Sequence, residues 1–142
     1  MFFIGLISGV LSSLAAAVIF LASTDGIHGL RLRKRFSKLK GRYEHCDLAG
    51  HSLGNQFTRI TQVRRNLLIV EGDDPVQGKW RSTILMDERF PGFGFGQYQY
   101  DNQRDCGRHE IQVAHDRKTI FVQAQNTSHG RNATFAYLWK RV

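Results

Sequence analysis

The sequence predicts an all-β fold, an eight-stranded antiparallel up-and-down barrel, preceded by one N-terminal transmembrane helix. Three observations predict it. Residues 1–22 carry no charged side chain, the hydrophobic period from Gly41 onward is two, and the strands this period defines are short and bounded by turn residues. A span followed by a domain of about 100 residues allows one small core, and 11% aromatic residues give it the bulk to close.

The first element is Met1 to Ala22, apolar apart from three serines and two glycines. As a helix it reaches roughly 33 Å, enough for a hydrocarbon core of about 30 Å. A cleaved signal peptide would carry a positive n-region, and here no Lys or Arg precedes Arg31. Gly5, Gly9, Ser12 and Ala16 recur at intervals of four, three and four. Such a stripe of small residues lets helix backbones approach closely in lipid, so the span is expected to self-associate and the protein to be a homo-oligomer.

Residues 23–40 form the second segment. Ser23 to Gly29 is polar, contains Asp25-Gly26 and His28-Gly29, and is expected to be a hinge. After it, Arg31, Arg33, Lys34, Arg35, Lys38, Lys40 and Arg42 place seven positive charges on the flank of the span. Such an excess marks the cytoplasmic side, which puts residues 41–142 in the cytoplasm of a single-pass inner (plasma) membrane protein. The chain has 20 basic and 12 acidic residues, so removing these seven leaves 13 against 12. The basic pI therefore belongs to the juxtamembrane segment and points to anionic lipid headgroups, or to a topology signal alone, and not to a nucleic acid polymer. Leu32, Phe36 and Leu39 fall at helical spacing, which suits either a short interfacial helix or a solvated linker.

Alternation then defines the strands. Leu39, Gly41, Tyr43 and His45 oppose Lys40, Arg42, Glu44 and Cys46. Gln56 to Val63 and Asn66 to Glu71 follow, with a turn at Arg64-Arg65. Gly78 to Met86 puts Trp80, Ser82, Ile84 and Met86 on one face. Phe93 to Asp101 sets Gly94, Gly96, Tyr98 and Tyr100 against Phe93 and Phe95, the glycines leaving room beside the rings. Gly107 to His115, Thr119 to Gln125 and Ala133 to Arg141 complete eight. The connections hold the expected breakers, including Gly72-Asp73-Asp74-Pro75 and Phe90-Pro91-Gly92. A meander of this length tends to close, which removes its exposed edges; an open sandwich of the same strands is the alternative.

Motifs for chemistry are sparse. His109-Glu110 is not a zinc motif, because position 113 is Val113 and the stretch alternates as a strand. The run Pro91-Gly92-Phe93-Gly94-Phe95-Gly96 lacks the lysine and following helix of a phosphate loop. Asp73-Asp74 and Asp87-Glu88 read as solvated turn residues. No catalytic group, metal or cofactor is assigned. Cys46 and Cys106 lack C-x-x-C spacing and are expected to be free thiols. The sequons at Asn126 and Asn132 would matter only if the topology were reversed.

The expected interior is unusual. Tyr43, His45, Trp80, Tyr98, Tyr100, His109, His115, Tyr137 and Trp139 all project to one side of their strands. Rings with polar tips suit a planar small-molecule ligand, where a purely structural core favours Val, Ile and Leu; a barrel filled by the same rings is the competing reading.

Leu39-Lys40-Gly41-Arg42-Tyr43 resembles the glycine-x-aromatic start of calycin-type barrels. The whole layout, span, basic flank and compact eight-strand domain, resembles the two-transmembrane, β-strand-rich effectors of bacterial cyclic-oligonucleotide immune systems, although this chain has one span where they have two. That resemblance implies a barrel that senses a cyclic dinucleotide and a membrane region that assembles and disrupts the membrane in antiphage defence. No binding residue is matched to that family. Two classes of function follow: a sensor or effector whose ligand biases assembly of the spans, and a membrane-tethered scaffold that recruits a protein.

Overall fold

The computed structural model describes residues 2–102, 105–128 and 133–142, with the side chains of residues 2–15, 21 and 62 outside the description. Helix α1 (Phe2–Ser37) leads into strands β1 (Gly41–Cys46), β2 (Ser52–Arg64), β3 (Leu67–Asp74), β4 (Gly78–Met86), β5 (Phe93–Tyr100), β6 (Cys106–Val113), β7 (Thr119–Asn126) and β8 (Ala133–Arg141). Every strand pairs antiparallel with the next, and β8 returns to β1 through Tyr43 opposite Arg141 and His45 opposite Trp139. The sheet is a closed barrel, and the open sandwich is set aside.

Alternation sets the inside of the wall. Along β4, Trp80, Ser82, Ile84 and Met86 are buried while Lys79, Arg81, Thr83 and Leu85 face out. Register breaks between Glu44 and Cys46 and between Ile60 and Gln62 add bends where β2 turns the corner. Asp74, Asp87 and Asp116 each accept two backbone N–H groups through Oδ1, shaping three hairpin connections. The acidic pairs expected to be merely solvated thus include two turn-forming residues.

Several strand limits shift by a residue, and three differ from expectation by more. β2 begins four residues early, at Ser52, because Gly54 and Asn55 tolerate left-handed φ values of 71° and 51° inside it. β3 continues to Asp74. β6 stops at Val113, since Asp116 folds the following residues into a turn, and His115 is therefore exposed instead of facing inward.

The hinge expected at Ser23–Gly29 is helix. Ser23 and Thr24 donate their hydroxyls to the Phe20 carbonyl, both at 2.9 Å, so these residues satisfy themselves without leaving the helix. Gly26 and Gly29 weaken a helix by roughly 1 kcal/mol each, which packing of its C-terminal turns can offset. Leu32, Phe36 and Leu39 are buried against the barrel with Val63, Leu68, Ile84, Met86, Ile111 and Ile120. The periodicity that suggested an interfacial helix or a linker thus marks a plug in the barrel's base. Arg141 locks the junction, donating from Nη1 to Lys38 O (3.0 Å) and from Nη2 to Lys40 O (2.8 Å). On the outside, His28 Nε2 lies 3.1 Å from Glu88 in the β4–β5 loop.

Among the described residues no helix is long and apolar enough to cross a membrane. The side chains of Gly5, Gly9 and Ser12 lie outside the described residues, and Ala16 is exposed. Cys46 and Cys106 are free thiols.

Candidate functional site

The barrel is built differently in its two halves. Near α1 the interior is aliphatic and filled. Toward the opposite end it becomes aromatic and polar and opens into a recess of about 670 Å³. His45, Trp80, Tyr98, Tyr100, His109 and Tyr137, all expected inside from the sequence, line this recess.

Their rings form one cluster. His45 stacks on Tyr137 with centroids 5.2 Å apart, and Tyr98 stacks on His109 at 4.6 Å. Trp80 meets His109 edge-on at 5.4 Å and stacks with Trp139 at 6.3 Å. Glycines on neighbouring strands make these placements possible. The Trp80 indole lies where a Cβ on Gly72 would stand, and the Tyr98 ring does the same over Gly107. Gly94 and Gly96 do not leave room beside Tyr98 and Tyr100. Met86, Ile84 and Ile111 fill the space at Gly94, and Ile84 with the β4 backbone fills that at Gly96.

Polar tips are ordered by a directed chain. The Ser82 hydroxyl donates to Gln97 O (3.0 Å), so His109 Nδ1 must carry a proton and donate to Ser82 Oγ (3.1 Å). His109 Nε2 is then an acceptor, facing the Tyr137 hydroxyl at 3.4 Å. Burial keeps Tyr137 protonated by raising its pKa, with Tyr100 and Tyr98 adding to the effect. Burial also lowers the His109 pKa to about 3, reinforced by His45, and the His45 pKa to about 4 against a smaller opposing pull from Asp74. Both imidazoles are neutral at pH 7. Among the described residues, His45 Nε2 and Trp139 Nε1 are buried with no partner in good hydrogen-bonding geometry, although the Gln56 side chain stands beside His45 and the Tyr137 hydroxyl beside Trp139.

Two expected site residues stand apart. Tyr43 is fully buried near the plugged base, where its hydroxyl donates to Leu39 O at 2.7 Å, because it lies only two residues into β1. Trp139 is the floor beneath the cluster, fully buried and in ring contact with His45 and His109. Gln56, Asp74, Asn126 and Phe135 line the recess without having been singled out. Asp74 and Asn126 each continue an inward series, Leu68-Val70-Gly72 and Ile120-Val122-Ala124, past the expected strand ends at Glu71 and Gln125.

A second recess of about 590 Å³ lies on the outer wall, where Arg42 sits 4.0 Å from the Phe57 ring centroid and Arg81 Nη2 pairs with Glu71 at 2.6 Å. None of its lining atoms is among the buried orphan atoms found in the interior. Among the described residues no cluster of His, Cys, Asp or Glu could hold a metal ion.

Fold and site together define a closed up-and-down barrel, plugged by a helix at one end and open to a ring-lined recess at the other. No family model, curated protein or solved structure matches the chain.

Proposed function

We propose that this protein is a membrane-anchored barrel that binds a small planar ligand in the aromatic recess and passes its occupancy to the N-terminal helix. One observation carries the reading: a recess of about 670 Å³ is walled by the rings of His45, Trp80, Tyr98, Tyr100, His109 and Tyr137. A concave wall of rings with polar tips offers a flat ligand stacking area together with hydrogen-bond partners.

The anchor half of the reading rests on the uncharged residues 1–22 and their basic flank, which also support a cytoplasmic barrel and contact with anionic lipid. In that arrangement the mouth opens away from the bilayer. Ligand can drive assembly of the helices only if it binds the assembled state better than the separated one. Disruption of the membrane in antiphage defence is the output that the effector resemblance suggests. A cyclic dinucleotide carries two phosphates, and the described lining has no Lys or Arg to meet them.

A scaffold is the second reading, favoured by the outer wall. Leu85 pairs across strands with Phe95, and both are exposed beside Phe93. Contiguous exposed apolar side chains mark docking surfaces.

Native mass spectrometry of the full chain, extracted in mild detergent from its host membrane, separates the two. The ligand reading expects a retained small molecule that Tyr100→Ala releases while the fold survives, since Tyr100 is a half-buried wall residue. A chain that carries only lipid in every preparation overturns it.

A further inference from the structure

We propose that the recess takes an organic cation, a flat molecule whose amidinium- or ammonium-type head meets the Asp74 carboxylate while its body lies among the rings. This deepens the ligand-binding reading and rests on it.

Asp74 is the last residue of β3 and continues the inward series. Its Oδ1 is fixed by Val76 N (2.8 Å) and Gln77 N (3.0 Å), and Oδ2 has no partner among the described residues. A charged oxygen is thus held at the mouth with its second lone-pair face unused. Its reach into the recess shows in its neighbours, since its charge pulls upward on the pKa of both His45 and Tyr100. Tyr100, Trp80 and Tyr137 present ring faces and edges nearby, and the quadrupole of such faces attracts a cation in addition to its pairing with a carboxylate. Deeper in, His45 is 7% exposed, and its ring extends the wall that the flat body of the ligand meets.

Nothing in the described lining offers the opposite preference. It contains no Lys or Arg, and both histidines are neutral at pH 7. The wider field agrees. Among the described residues, the strand ends and loops at the mouth hold Asp47, Asp73, Asp74, Asp101 and Asp105 against Lys79. At the plugged end the balance reverses, with Arg64, Arg65, Arg89, Arg117 and Lys118 outnumbering Asp87, Glu88 and Asp116. Such a polarity steers cations to the mouth.

Benzamidine, benzamide and benzoate test this, because they share ring and shape and differ in charge. The chain has two tryptophans, Trp80 and Trp139, both in the ring cluster, so intrinsic emission of the full chain in non-ionic detergent reports occupancy. Benzamidine should bind saturably and at least ten-fold tighter than the other two. Asp74→Asn keeps the acceptor that shapes the turn and should cut benzamidine affinity about ten-fold while leaving benzamide unchanged. Equal affinities, or tighter benzoate binding, overturn the cation assignment and leave the ligand-binding reading standing. Saturation by none of the three overturns both.

Discussion

Acid should unfold this barrel through two side chains. His45 and His109 are held neutral by burial, with pKa values lowered to about 4 and about 3, whereas the unfolded chain titrates near 6.5. Between pH 6.5 and 4 the unfolded state therefore binds more protons than the folded one. Stability falls as pH falls, by up to about 1.4 kcal/mol per pH unit for each histidine, and His45 stops contributing to the fall below about pH 4. Asp47, Asp87 and Asp116, whose carboxyls accept backbone N–H bonds and sit below the usual range, titrate beneath a pH 7.5 to 5 window. Denaturant unfolding across that window should show the loss. A flat profile would mean that the imidazoles are charged or hydrated in the folded barrel.

At the scale of elements, the helix end is a structural part of the barrel. Phe36 is 1% exposed within the base cluster, and Phe36→Ala should cost roughly 3–5 kcal/mol, read as a large drop in the melting temperature of the full chain. A change below 1 kcal/mol would mean that the helix end rests on the barrel without sealing it. The strands themselves were readable because a half-buried wall repeats every two residues whatever surrounds it, as Trp80-Ser82-Ile84-Met86 shows. What local pattern could not supply was context. Ser23 to Gly29 has poor helix formers and reads as a break, yet packing of Leu32, Phe36 and Leu39 holds the helix register across it. Leu32, Phe36 and Leu39 have the right spacing, but spacing does not say whether their partner is lipid, water or a barrel. The recess was readable in its rings and not in its rim, because Asp74 and Asn126 sit at strand ends, where turn composition masks the alternation.

For the whole molecule, the open question is whether helices associate. In the small-residue stripe, Gly5→Leu with Gly9→Leu would block close backbone approach and should weaken self-association of the full chain in a membrane dimerisation assay. Unchanged association would assign any oligomer to the barrel, whose exposed Leu85, Phe93 and Phe95 are then the surface to examine.

The helical plug also decides how this protein can be cut. A fragment that starts at Gly41, where the first strand begins, leaves Leu32, Phe36 and Leu39 behind and exposes the apolar base that they cover. It also removes the Lys38 and Lys40 carbonyls that anchor Arg141. Such a fragment should precipitate, while one beginning near His28, with its contact to Glu88, retains every buried partner. The smallest autonomous piece is thus an amphipathic helix fused to a barrel, and a protease that cleaves within residues 29–40 should inactivate the barrel without touching a strand.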